Sequence, residues 1–407
     1  MTDYNWNTQG DKENDTTMKP ILSIQDLAIN GAQPAFAHTL HVGRPNIGSR
    51  VLFQKHVDEI FDNRWLSNNG PKVQALEARI AELHRVKHCV AMCNGTIALE
   101  IAIRALNLTG EVIVPSYTFI ATAHALHWQQ VTPVFADIDP LTHNLNPDAV
   151  RRMITPRTTG IIGVHLWGRS APIDELQAIA DDHGLKLMFD AAHAFACSYK
   201  GTMIGNFGAC EVLSFHATKF FNTFEGGAVL TNDDELANAM RLMRNFGFAG
   251  LDNVIHPGTN GKMIEVAAAM GLANLESIDD VIEANRRNLR AYREALSDLP
   301  GINLLNFDGG EKNNYQYVVM EVDESCPVNR DRMIEVLHAE NIRARKYFWP
   351  GCHNMLPYRD LYPNAGLMLP NTIKVADRVV VLPTGTTIDS TMISDIAAVI
   401  RVLVNGR

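Results

Sequence analysis

Between His88 and Thr231 the chain repeats one pattern: a short apolar run, then a stretch with helical spacing. The runs are His88–Cys93, Glu111–Pro115, Val131–Asp137, Gly160–Leu166 and Leu187–Asp190, with further strands expected near Val212–Phe215 and Ala228–Thr231. Helices are expected over Thr96–Leu106 and Thr118–Trp128, and from Pro172 as far as Gly184. Strands that are apolar on both faces need cover on both, and the intervening helices supply it. The pattern therefore predicts an α/β architecture, a mostly parallel central sheet with flanking helices. Such a sheet offers a ligand only its edge, so a site is expected beyond the carboxyl ends of the strands.

From about residue 280 the pattern changes. A charged helix over Ile282–Ala295, an alternating strand over Tyr315–Val322, a helix over Arg330–Ala339 and a last helix from Ser390 predict a smaller C-terminal α+β domain, residues 281–407. It follows a large α/β domain with an N-terminal arm, residues 21–280. Residues 1–20 have no hydrophobic periodicity and are expected to form a disordered tail.

Composition removes several function classes. The net charge of −9 comes from intermixed charges, with no basic block that could neutralise a run of phosphates, so no nucleic-acid partner is expected. The six cysteines are scattered, and the closest pair, Cys89 and Cys93, lies inside an apolar run. That reads as reduced thiols rather than a metal site or a disulfide framework. The polar, acidic start has no secretory character, and no run approaches the roughly 18 apolar residues of a membrane span. A soluble cytoplasmic protein is expected.

The chemistry-bearing residues cluster at predicted strand ends. Asp190 closes the run Leu187–Asp190; alone it would be a helix cap or a surface carboxylate. After one more strand comes Ser214-Phe215-His216-Ala217-Thr218-Lys219, followed by Glu225-Gly226-Gly227 and another strand. A lysine between two apolar strands, ahead of a Gly-Gly turn, is poorly explained as a surface residue. Together the pair meets the needs of pyridoxal 5'-phosphate (PLP). A lysine must hold the aldehyde as a Schiff base and later move a proton. A carboxylate must keep the pyridine nitrogen protonated so that the ring can accept electrons.

Two further requirements have candidates. Cys93-Asn94-Gly95-Thr96 precedes a helix, whose N-terminal N–H groups suit a phosphate; Gly95 permits close approach and Thr96 adds a hydroxyl. In isolation an N-cap residue explains that stretch equally well. Ser214 is a further phosphate donor. Phe119, just past a strand end in Pro115-Ser116-Tyr117-Thr118-Phe119, is placed to lie against a flat ring, although alone a core phenylalanine would explain it better.

These residues sit in longer stretches that resemble the DegT/DnrJ/EryC1/StrS aminotransferases, the nucleotide-sugar branch of fold-type-I PLP-dependent transferases. The resemblance runs from about residue 40 to the C-terminus, through Arg64–Pro71, Cys93–Thr96, Pro115–Thr122, Val164–Gly168, Phe189–Phe195, Ser214–Gly227 and Asn260–Glu265. It implies that Lys219 is the Schiff-base lysine, that Asp190 faces the pyridine nitrogen, that Phe119 stacks on the ring, and that Gly95, Thr96 and Ser214 bind phosphate. His193 stands where many members have Gln, beside the cofactor's phenolic oxygen, with its protonation state left open. Asn245 resembles the residue that members lend to the neighbouring subunit's phosphate, which implies a homodimer with shared active sites.

The resemblance also implies a reaction. Lysine rather than histidine at 219 separates the chain from the dehydrating members, and Ser214–Lys219 with Glu225–Gly227 is similar to members acting at sugar carbon 4. Arg64–Pro71 and Arg345–His353 look most like enzymes that make dTDP-4-amino-4,6-dideoxyglucose. Glutamate would convert PLP to pyridoxamine 5'-phosphate, which would aminate the C-4 keto carbon of a nucleotide-linked 4-keto-6-deoxy sugar. The rivals are amination of another keto sugar nucleotide or a keto-cyclitol, and a non-enzymatic sensor on a retired PLP fold. Loss of Lys219 or Asp190 would mark the last, and both are present.

Overall fold

A computed structural model describes residues 20–406. The tail expected over residues 1–20 lies outside the described residues except for Pro20. The described strands are β1 (Leu40–His41), β2 (His88–Met92), β3 (Glu111–Pro115), β4 (Thr132–Ala136), β5 (Thr158–Val164), β6 (Lys186–Asp190), β7 (Ser198–Tyr199) and β8 (Thr202–Met203). They continue with β9 (Glu211–Ser214), β10 (Gly227–Thr231), β11 (Ile302–Leu304), β12 (Val318–Val322), β13 (Ile342–Arg343) and β14 (Val379–Leu382).

Seven of them form the central sheet in the order β2-β10-β9-β6-β5-β3-β4. All neighbours pair in parallel except β10, which is antiparallel to both β9 and β2. The expected mostly parallel sheet with helices on its faces is what the chain forms. Alternate residues of one strand feed two separate cores, as the pleat requires. Leu187 and Phe189 of β6 pack into one layer with Leu76, Ile80 and Phe215, while Met188 packs into the other with Val90, Leu99 and Val112. This double burial is why the strands read as unbroken apolar runs.

The helices have local causes. Asn94 caps the helix Gly95–Ala105 by accepting from the Ile97 N–H at 2.8 Å. Gly184, at φ 63°, ends Ile173–His183 in the left-handed conformation. The helix expected from Thr118 begins only at Ala121, because Thr118 and Phe119 are spent in the turn that leaves β3. The strand expected from Tyr315 begins at Val318, since Tyr315 has φ 51° and cannot extend the ladder.

A second sheet, β11-β12-β14, is antiparallel and packs on the helices Ile278–Leu296, Arg330–Ala339 and Ser390–Asn405. The boundary expected between residues 280 and 281 thus falls inside a helix. The N-terminal arm shares this second core: Leu27, Phe36 and Leu40 pack with Tyr292, Leu337 and Ile396. Glu340 fastens the arm by accepting from the N–H groups of Ala28 (2.5 Å) and Ala35 (2.7 Å), and β1 pairs in parallel with β13. Among the described residues no helix is long and apolar enough to cross a membrane.

Candidate active site

The carboxyl ends of β5, β6 and β9 and the turns after β2 and β3 open into one cavity of about 860 Å³, within the range that encloses a cofactor or a drug-sized ligand. Its lining includes Gly95, Thr96, Phe119, Asp190, His193, Ser214 and Lys219. Asn245 does not line it. That residue sits in the loop after the helix Asp234–Met243, its backbone bridged to Asn260.

Asp190 is buried at the end of β6. Its Oδ2 accepts from the Thr122 hydroxyl at 2.8 Å and its Oδ1 from the Ala192 N–H at 3.1 Å, so the carboxylate is held at both oxygens. Burial pushes its carboxyl above the usual range, opposed by those two hydrogen bonds and by the charges of Lys219 and His165. Lys219 feels the reverse. Desolvation by the cavity walls lowers its ammonium to about 8, while Asp190 pulls it back up. A lysine in this state is an amine within reach of neutral pH.

On another wall, β10 passes beneath the start of the helix Gly95–Ala105. A Cβ on Gly227 would stand 2.7 Å from both the Asn94 carbonyl carbon and the Gly95 nitrogen, so only glycine lets the strand run so close. A Cβ on Gly95 would stand 2.9 Å from the Ser214 Cβ. The two glycines therefore bring a helix N-terminus and the Ser214 hydroxyl together, a donor set suited to a phosphate dianion. Phe119 is 56% exposed although it follows a core strand, and the surface it bares is cavity wall. A core role for Phe119 is excluded.

The open question at His193 has a geometric answer. Its Nδ1 accepts the Trp167 backbone N–H at 3.2 Å, which leaves the proton of the neutral ring on Nε2, 3.4 Å from the Tyr317 hydroxyl. Burial, reinforced by the Lys219 charge, pushes the imidazole well below its ordinary pKa. Trp167 and Phe348 both stack with the ring, at 6.1 and 6.0 Å. His193 is thus a neutral, fixed N–H donor on the cavity wall.

Sequence reasoning did not single out Thr122, Tyr317, Tyr347 or Phe348. Thr122 lies in the stretch that carries Phe119, and its spacing from Asp190 along the chain gives no hint that the two touch. Tyr317, Tyr347 and Phe348 come from the second sheet's unit and reach the cavity only through tertiary packing.

Comparison with known proteins identifies the family. A sequence model of the DegT/DnrJ/EryC1/StrS aminotransferase family matches residues 49–401. The chain is 37% identical over 350 residues to an Escherichia coli dTDP-4-amino-4,6-dideoxy-D-glucose transaminase, covering 85% of this chain and 93% of that protein. It is 37% identical over 316 residues to a Caulobacter vibrioides GDP-perosamine synthase, covering 75% of this chain and 84% of that protein. Among solved structures it resembles DesI, crystallised in the presence of its TDP-sugar product. The TM-score is 0.90 at 49% identity, over 95% of this chain and 97% of that one.

Proposed function

The chain belongs to the DegT/DnrJ/EryC1/StrS aminotransferase family, and from that premise we propose that it moves an amino group from glutamate to the C-4 keto carbon of dTDP-4-keto-6-deoxyglucose, using PLP. The observation that carries the reading is the convergence of Lys219, Asp190 and a helix N-terminus backed by Ser214 on one cavity. When bound, the cofactor supplies an aldehyde that exchanges nitrogen with substrates and a protonated ring that takes up the electron pair released at carbon.

The chain's own residues do the rest. Asp190, steadied by Thr122 and the Ala192 N–H, would hold the proton on the ring nitrogen. The N–H groups of Gly95 and Thr96 and the hydroxyl of Ser214 would hold the phosphate. Phe119, exposed to the cavity, would pack against the ring, and the Nε2–H of His193 would serve the cofactor as a fixed hydrogen-bond donor. Lys219 would anchor the cofactor, and its Nζ, with the ammonium lowered to about 8, would hold and move the proton. Asn245, which does not line its own chain's cavity, would reach the phosphate of a neighbouring subunit, so that the enzyme would work as a homodimer with shared sites. A cytoplasmic setting, where thiols stay reduced, suits the six free cysteines.

The similarity to a GDP-perosamine synthase makes the nucleotide the point to test. The purified protein should be yellow, and its visible band should fade with glutamate. The band should then return on addition of dTDP-4-keto-6-deoxyglucose faster than with the UDP- or GDP-linked 4-keto sugars. Preference for a GDP-linked sugar would move the assignment to that relative's class, and no fading with glutamate would end it.

A further inference from the structure

A chain of hydrogen bonds runs from the second unit into the ring of His193, and each link fixes the direction of the next. The indole Nε1–H of Trp167 donates to His143 Nδ1 at 3.1 Å. An indole nitrogen can only donate, so His143 Nδ1 is bare and the ring carries its proton on Nε2. That nitrogen lies 2.9 Å from Oε1 of Glu321, a carboxylate on β12. The backbone N–H of Trp167 in turn donates to Nδ1 of His193. Glu321 is partly exposed, whereas His143, Trp167 and His193 are buried.

Trp167 is the link that needs holding. It stands at φ 65°, a left-handed conformation that is costly for a bulky side chain and persists only where the surroundings over-determine it. Asn144 grips the ends of the same turn: its Oδ1 accepts from the Leu166 N–H at 3.1 Å, and its Nδ2 donates to the Ser170 carbonyl at 2.9 Å. Asn144 thus secures the turn, and its neighbour His143 secures the side chain at the apex.

The orientation of Trp167 decides the state of His193. The Tyr317 hydroxyl, 3.4 Å from Nε2, can donate or accept and so suits either tautomer. Phe348 stacks on the ring, and the charge of Lys219 acts only against the imidazolium. The Trp167 N–H, which cannot accept, selects the form with its proton on Nε2.

We infer that Glu321 and His143 are positioning residues for His193: they hold Trp167 so that its N–H keeps the His193 proton on Nε2, facing the cofactor's phenolic oxygen. That the oxygen lies there rests on the aminotransferase reading above; the tautomer of His193 does not.

The test compares Glu321→Leu and His143→Phe with the wild type and with the conservative Glu321→Gln, whose amide oxygen still accepts from His143. Nitrogen-15 NMR of the full-length, cofactor-free chain labelled at histidine reads the His193 tautomer, with its signals assigned by their loss in His193→Gln. Titration of the visible band reads the holoenzyme. In the wild type and Glu321→Gln, the Nε2–H form should dominate by about tenfold. In Glu321→Leu and His143→Phe the two tautomers should become comparably populated. The band's pH midpoint should then rise by up to about 0.3 unit, because halving the donor population weakens the hydrogen bond that favours a negative phenolic oxygen. Should His143→Phe fail to fold, Glu321→Leu, altered at the partly exposed end, decides alone. A folded Glu321→Leu chain whose His193 keeps the wild-type tautomer ratio overturns the inference, since the chain of bonds would then be packing only. So does a Glu321→Gln chain that shifts as far as Glu321→Leu, since hydrogen-bond acceptance would not be what matters. A shifted tautomer with an unmoved band upholds the positioning role and instead removes His193 from the phenolic oxygen.

Discussion

Exposing the cofactor-free protein to a small aldehyde and cyanoborohydride, at pH values from about 6 to about 10, reads the environment of Lys219 directly. Only the neutral amine attacks the aldehyde, so the yield of the reduced adduct on Lys219 follows its titration. With the ammonium lowered to about 8, about a quarter of Lys219 is neutral at pH ~7.5, against about one in a thousand for a lysine at 10.5. The difference is roughly 200-fold in reactive amine, large enough to survive the lower intrinsic nucleophilicity of a less basic nitrogen. Mass spectrometry of the peptide containing Lys219 should give a midpoint near pH 8. In Asp190→Asn the midpoint should fall further, because that carboxylate is the charge holding the ammonium up. The linkage sign follows. The folded pKa lies below the unfolded one, so the unfolded chain binds more protons between about 8 and 10.5, and this group's contribution to stability rises with pH across that window. A midpoint at about 10 or above would refute the desolvation argument.

Three other outcomes follow from the same geometry. Asp190→Asn should lower turnover on the order of 100-fold or more, because an amide cannot hold the ring-nitrogen proton, with a much smaller change in melting temperature; steady-state kinetics beside a thermal melt separates the two. Gly227→Ala puts a Cβ 2.7 Å from the Asn94 and Gly95 backbone and so spreads the phosphate cradle, which should weaken retention of PLP about tenfold in a dialysis assay. Mixing inactive Lys219→Ala chains with weakened Asn245→Ala chains should raise activity above either parent once subunits exchange, because one site of a mixed dimer carries neither defect; no rise after verified exchange rules out a shared site.

The sheet was legible because its strands are buried on both faces: Glu111–Pro115 has the bounds expected, and the strand ending at Asp190 differs by one residue at its start. The helix Glu265–Leu275 gave no periodic signal, since it is buried nearly all round and has no polar face to mark its turns. Antiparallel β10 in a parallel sheet was equally invisible, because pairing direction leaves no trace in one strand's composition. At the site, residues next to strand ends were readable from local context, as with Asp190 and the turn before Lys219. Thr122 and Tyr317 were not, because their relevance arises only where distant segments meet. The attachment of the N-terminal arm to the C-terminal unit through Glu340 is of the same kind, a contact across more than three hundred residues.

The central claim is that nitrogen passes from glutamate to sugar carbon 4 at Lys219. Incubating the enzyme with 15N-glutamate and dTDP-4-keto-6-deoxyglucose, and analysing products by mass spectrometry and NMR, tests it in one experiment. The account predicts a dTDP-4-amino-4,6-dideoxy sugar carrying the label at C-4, 2-oxoglutarate in equal amount, and neither product from Lys219→Ala. Label at another carbon, or labelled amino sugar from the Lys219→Ala chain at the wild-type rate, would contradict it.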